Sequence, residues 1–339
     1  MASLQLTFKD IRQEVQRYLG FGRTTAWATM TPAQQGDVLS VVNRGFRQFY
    51  SPMPLPNESS GHDWSFLRGE GLISTEAPYS TGNITTIGLA VSIAGGGVFD
   101  ANTHPDTLLI ANGEYRKITE VGGATAASID RAFSANLSSS AYEILDGTYL
   151  LPTDFGGLRG SITFRDNSDE IPLRLVNESA IRRLRSDEPV KRGVPEYAAI
   201  VPADTNNTSE TAQLYKLSLW PYPDKVYDLF YTYTVYVNSL SSDSYAVADD
   251  DHVPIGGAYH SETILASCLA IAEQIVDEFN NPGKMQAKFT ERLAASISYD
   301  RRNMLPDGFG YNGDHSDHII PDAKRRRIQT VTRNNVLYP

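Results

Sequence analysis

The chain of 339 residues contains a single cysteine. No disulfide can form within it, so a disulfide-stapled scaffold is excluded, and a reducing compartment or indifference to redox is expected. Cys268 itself sits in an apolar run of helical spacing and reads as a small core residue. Long apolar runs are scarce as well. Stretches such as 87–94 and 264–271 fall far short of the roughly 20 residues that span a bilayer. The opening MASLQLTFKD lacks a basic segment followed by an apolar one, so no secretory signal is read and a soluble protein is expected. The N-x-S/T triplets at Asn57, Asn83, Asn136, Asn177 and Asn207 are then chance matches.

An excess of positive charge is also missing. Thirty Lys and Arg face 40 Asp and Glu, a net charge of -10. A DNA-binding module normally invests in phosphate contacts, which this balance opposes. Catalytic signatures are thin. "SIAGGGVF" is glycine-rich, but no Lys-Ser or Lys-Thr follows, so it reads as a turn and not as a phosphate loop. No G-x-S-x-G elbow occurs. His315 and His318 in "GDHSDH", and His252 after Asp249-Asp250-Asp251, lie in loop-like sequence without a cysteine, unlike the paired ligands of a zinc site. The three aspartates also lack the glycine and closing glutamate of a calcium loop. Two convergent carboxylates for sugar hydrolysis stay open, because 40 acids are present. No enzyme, no metal and no cofactor is the expectation.

Against these absences stands clear helical grammar at both ends. Thr7-x-x-Asp10 is a capping signal, and Phe8, Ile11, Val15, Tyr18 and Leu19 recur at helical spacing until Gly20. Thr31-Pro32-Ala33-Gln34 repeats the signal, with Val38, Leu39, Val42, Phe46, Phe49 and Tyr50 on one face and "SPMPLP" as the stop. A third helix is predicted over 258–280, roughly 35 Å long for about 23 residues. Ile264, Leu265, Cys268, Leu269, Ile271, Ala272, Ile275, Val276 and Phe279 give it a broad apolar face. Asn281-Pro282 caps a fourth helix carrying Met285, Phe289, Leu293, Ile297 and Tyr299, with almost no loop between the two.

Between the helical pairs the pattern is β. Short strand-like runs separated by Gly, Asn, Asp and Ser fill 78–146 and predict a small barrel or sandwich. Within them Asn112-Gly113 predicts a type I′ hairpin. A second β region runs to about Tyr245, interrupted by a short helix capped by Asn177 and ending before Pro189. Its most aromatic part, "LSLWPYPDKVYDLFYTYTVYVNSLS" at 217–241, reads as a hairpin turning at Pro221, Pro223 and Asp224. Tyr227, Leu229, Tyr231, Tyr233, Val235 and Val237 share one face by alternation. Stacking platforms for bases mix aromatics with cations, and none follows Lys225 here, so a sheet wall is the reading.

The fold class is therefore α+β: a discontinuous bundle of N- and C-terminal helix pairs, inserted antiparallel β modules and an extended C-terminal tail. Neither helical pair has enough surface to hide its apolar face alone. Five segments follow: 1–75 and 249–305 as the two bundle halves, 76–148 as an inserted β-barrel-like domain, 149–248 as a second β region, and 306–339 as a partner-binding tail. The tail shows no periodicity and must find order on a partner or stay mobile. Its cluster Lys324-Arg325-Arg326-Arg327 suits a nucleic-acid patch, a clamp on an acidic protein, or a solvated charge run.

Several ordered segments carry a resemblance. "YLLPTDFGGLRGSITF", "IRRLRS", "GVPEYAAI", "LYKLSLWPYPDKVYDLFYTY", "NSLSSDS" and the helix after "HVPIGGAYH" resemble the head-to-tail adaptor, or connector, proteins of tailed bacteriophages. The β insertion before "YLLPTDF" is similar to a decoration of longer members, and the likeness spans residues 1–305. It implies a virion protein of the neck without catalytic activity or cofactor, assembled in the host cytoplasm. Copies, usually twelve, would form a ring between portal protein and tail or nozzle proteins, around passing double-stranded DNA. In the tail, Arg325, Arg326 and Arg327 would assist docking electrostatically, with Ile328, Val331, Val336, Leu337 and Tyr338 as apolar anchors. No membrane contact is implied. The alternative is a glycan-binding or glycan-cleaving β protein of a phage tail.

Overall fold

The structure is a computed structural model. It describes residues 5–22, 26–54, 61–100, 107–165, 172–203, 214–237, 252–276 and 283–303, with the backbone of 331–333 and 336–338. It is mixed α+β. The helices are α1 (Phe8–Tyr18), α2 (Pro32–Tyr50), α3 (Glu178–Asp187), α4 (Ala258–Val276) and α5 (Lys284–Asn303). The first strands are β1 (Arg68–Ser74), β2 (Asn83–Ile87), β3 (Ala90–Ala94), β4 (Leu108–Ala111), β5 (Glu114–Gly123), β6 (Ala126–Ile129) and β7 (Tyr142–Leu145). Next come β8 (Thr148–Leu150), β9 (Phe155–Phe164), β10 (Arg174–Leu175), β11 (Arg192–Gly193) and β12 (Tyr197–Pro202). The remainder are β13 (Tyr215–Trp220), β14 (Tyr222–Pro223), β15 (Asp228–Val235), β16 (Val331–Arg333) and β17 (Val336–Tyr338). The chain divides into two compact units. One comprises the described residues of Met1–Arg68 and Val235–Phe309, the other those of Gly69–Thr234 and Gly310–Pro339.

In the helical unit, local signals set the helix ends. Thr7 and Asp10 form a reciprocal capping box on α1, and Thr31 and Gln34 do the same on α2, with Pro32 in the first turn. Two orphan donors are satisfied at each start. The end of α1 is closed by Gly20 at φ 83°, with Phe21 N–H donating to Gln16 O at 2.9 Å and Gly20 N–H to Arg17 O at 3.2 Å. Those two bonds make a Schellman motif, and a residue with a Cβ would be strained at the Gly20 position.

Residues of α1, α2, α4 and α5 share one hydrophobic core, completed by Trp64 and Leu67. Trp64 is fully buried, stacks on Phe49 with centroids 4.6 Å apart, and donates its indole N–H to Phe49 O at 2.9 Å. α2 and α4 approach closely at Gly45, where an added Cβ would lie 2.6 Å from the Cys268 Cα. There Ser267 Oγ donates to Gly45 O at 2.8 Å. α4 ends at Val276, and residues 277–282, which carry the Asn281-Pro282 cap read from sequence, lie outside the described residues. The first turn of α5 has instead a partner from α4: Met285 N–H donates to the Glu273 carboxylate at 2.9 Å. A carboxylate there meets the positive end of the helix dipole, so burial of Glu273 is compensated. Among the described residues no helix is long and apolar enough to cross a membrane.

The second unit is β-rich. Six antiparallel strands in the order β2-β3-β6-β5-β4-β7 curl into a half-barrel, and Ile84 of β2 bridges Ser140 just before β7. Its core is a separate cluster including Ile84, Leu109, Ile118 and Ile144. The β4–β5 connection is the expected two-residue turn, with Asn112 at φ 49° and Gly113 at φ 76° and Ala111 opposite Glu114. Two further sheets have the orders β10-β12-β13-β8 and β1-β15-β9, and β11 pairs with β14 in parallel. α3 starts after Asn177 as read from sequence, but the Asn177 side chain makes no capping bond.

The hairpin expected at 217–241 is not formed. β13 and β15 lie in different sheets, and the Trp220-Pro221 bond between them is cis. A strand has two edges, and each of these is already filled: β13 by β12 and β8, β15 by β1 and β9. The segment carries the chain from one sheet to the next. The alternation read from sequence holds from Tyr227 to Tyr233, where Tyr227, Leu229, Tyr231 and Tyr233 are buried, but it fades at Val235 and Val237, which are half-buried. The space for two of those rings is made by glycines of β1. A Cβ at Gly71 would lie 2.3 Å from the Tyr231 ring, and one at Gly69 would lie 2.6 Å from that of Tyr233.

Beyond residue 303, where no periodicity was read, β16 and β17 pair antiparallel. The β-branched and aromatic residues Val331, Thr332, Val336 and Tyr338 flanking Asn334-Asn335 favour such a pair, although the run is too short to register as a pattern.

Candidate functional site

The helical unit contains a cleft of about 650 Å³ where the C-terminal half of α2, with Met53 and Pro54 after it, faces the last turns of α4 and the first half of α5. The amphipathic pattern explains its chemistry. Ile271, Phe289 and Leu293 are buried and line it with apolar surface. Arg44 and Arg47, three residues apart and so neighbours on one helix face, stand exposed beside them. Among the described residues neither arginine side chain has an ion-pair or hydrogen-bond partner. Met53 is 85% exposed. Gln48 accepts from Ser267 Oγ at 3.2 Å, and the buried Oε1 of Gln286 has no hydrogen-bond partner. The lining offers hydroxyls from Ser51 and Thr290 but no histidine, cysteine or carboxylate to act as base. Apolar floor, two cations without partners among the described residues and an unmatched acceptor together form a surface complementary to something apolar and anionic.

Two further polar centres, one buried and one half-buried, lie elsewhere. In the helical unit Asp300 accepts from Ser65 Oγ at 2.5 Å and Ser65 N–H at 3.0 Å, and its other contact is His62 Nε2 at 2.8 Å. Burial pushes the Asp300 carboxyl up, but the Ser65 bonds and His62 together outweigh it and hold it below the usual range. Serine, histidine and aspartate are adjacent here, yet the carboxylate sits between the other two. Ser65 donates to Asp300, so no imidazole is placed to take its proton, and the group is a brace joining the segment after α2 to α5. Beside it His260 is packed among Phe49, Trp64, Phe66 and Tyr299, and burial lowers its pKa.

In the β unit, Asp146 receives the Thr148 N–H at 2.8 Å. Burial pushes its carboxyl up to about 7, the Thr148 bond opposes that, and Glu76 adds to the rise. Arg185 of α3 donates to Gly147 O at 3.1 Å and Leu219 O at 3.0 Å, with its guanidinium over the Tyr222 ring. This cluster ties α3 to the sheet through backbone carbonyls.

The residues predicted to dock a partner are only partly placed. Arg325, Arg326, Arg327 and Ile328 lie outside the described residues. Val331 pairs with Tyr338, Thr332 with Leu337 and Arg333 with Val336 in the β16–β17 ladder. His315, His318 and Asp249–Asp251 also lie outside the described residues, among which no three His, Cys, Asp or Glu gather as metal ligands. No protein-family model matches the chain, and no curated protein is similar to it. Sequence reasoning missed the cleft because it followed the apolar face of α2. The available signal was Arg44 and Arg47 at i, i+3 on the opposite side, immediately before a proline-rich stop.

Proposed function

We propose that this chain is a structural subunit, a head-to-tail adaptor of the tailed-phage type, with a discontinuous helical bundle as its frame and β modules as its insertions. Copies form a ring beneath a portal and link capsid to tail around the DNA passage. The observation that carries this reading is the closure of one core by helices from both ends of the chain, α2 ending at Tyr50 and α4 beginning at Ala258, with the β unit inserted between. A subunit framed this way offers separate helical and β surfaces for different neighbours in an assembly. The net charge of -10 supports it, because a conduit with little positive charge does not retain passing phosphates.

The glycan-binding alternative rested on the aromatic stretch at 217–241 and on the β insertion before it. Tyr227, Tyr231 and Tyr233 are buried, and the exposed rings of that stretch are Phe230 and Tyr236, so few are available for stacking on sugar. The deciding experiment mixes purified protein with portal rings and follows particle mass and negative-stain symmetry. A ring co-migrating with the portal is expected. A chain that stays monomeric alone and with the portal would sink the adaptor function, and binding or cleavage of cell-surface polysaccharide would favour the alternative.

A further inference from the structure

The cleft between α2, α4 and α5 has two exposed arginines and an apolar floor, and the chain itself contains a stretch of opposite character. Residues 304–322, MLPDGFGYNGDHSDHIIPD, carry four aspartates, Asp307, Asp314, Asp317 and Asp322, with no Lys or Arg. Met304, Leu305, Phe309, Ile319 and Ile320 lie among them as apolar anchors. We infer that the cleft receives the 304–322 segment of a second copy of this chain.

Three observations converge on that occupant. Among the described residues the side chains of Arg44 and Arg47 are unpaired, and they are adjacent on one face, the spacing that two carboxylates of a peptide can meet with charge-assisted bonds. Ile271, Phe289 and Leu293 provide apolar surface beside them, where anchors of the same peptide can be buried. Gln286 Oε1 is a buried acceptor without a donor, which a peptide N–H would satisfy. The direction of α5 selects a neighbour over the same copy. α5 runs on to Asn303, ten residues and about 15 Å of rise beyond Leu293, so the segment starts from the end of the helix remote from the cleft. A neighbouring copy delivers the segment without reversing along the helix. The arrangement is head-to-tail, since cleft and segment are different surfaces, and such contacts propagate into rings where the rotation closes. The inference does not rest on the adaptor function: a chain that binds itself here and ignores portals would keep this contact and lose that function.

The test uses the full-length protein and a fluorescein-labelled synthetic peptide of residues 303–323. Saturable binding is expected, weakened about ten-fold by Arg44→Glu with Arg47→Glu, the loss of two exposed charge pairs. A peptide with all four aspartates replaced by lysine should prefer that double variant over the parent protein. Both arginines are exposed, so thermal melts of the variant and the parent should coincide and exclude misfolding. Absence of peptide binding overturns the inference. So does equal binding by the double variant, or equal binding by a scrambled peptide of the same composition.

Discussion

At the scale of single residues, the tightest constraint is Gly45. A methyl group there would press within 2.6 Å of the Cys268 backbone, an atom that cannot swing away. Gly45→Ala should destabilise the helical unit by about 1–3 kcal/mol through overpacking, read as a lower urea midpoint. Cys268, fully buried with its thiol pushed far up by that burial, should resist iodoacetamide in the native protein and react after unfolding. Rapid native alkylation would contradict the packing. Asp146 makes a pH prediction. Its folded pKa of about 7 lies above an unfolded value of about 3.9, so its contribution is favourable below the lower value and is lost as pH rises through the upper one. Asp146→Asn keeps an acceptor for Thr148. The urea midpoint of the variant should therefore fall less than that of the parent between about pH 4 and about pH 8; parallel profiles would show that the carboxyl is not so shifted. None of these partners was legible beforehand, because Gly45 with Cys268, and Asp146 with Glu76, are far apart in sequence.

At the scale of elements, local grammar and pairing separate cleanly. Both capping boxes, the Asn112-Gly113 turn and the alternation from Tyr227 to Tyr233 were legible, because each is decided within a few residues of chain. The partner of β15 was not. Tyr231 and Tyr233 are accommodated by Gly71 and Gly69 of β1, more than 150 residues earlier in the chain, and nothing in "GEGL" marks those glycines as receptors for rings. Gly71→Ala should displace the Tyr231 ring, at a cost of about 1–3 kcal/mol. An unchanged thermal midpoint for that variant would mean that the ring has room to move. Removal of the α2 cap by Thr31→Ala is expected to cost about 1 kcal/mol, as for exposed N-caps generally. The cleft belongs to this scale too: its arginines are ordinary surface residues of α2 until α4 and α5 place an apolar floor beside them.

At the scale of the molecule, deletion of residues 306–339 tests the proposal that the tail docks on a portal. The shortened chain should keep its helical signal and thermal melt while losing portal affinity; undiminished portal binding would remove that role from the tail. The α+β class, the two helical ends and the β interior were determined by the sequence itself, since hydrophobic period and turn chemistry are properties of short segments. Which strands share a sheet, that 217–241 crosses between sheets, and that two glycines of β1 shelter two tyrosines were decided only by the tertiary structure. So was the placement of two exposed arginines beside an apolar cleft. Strand edges, cavities and close approaches depend on distances between segments that are remote along the chain, and a local pattern does not encode those distances.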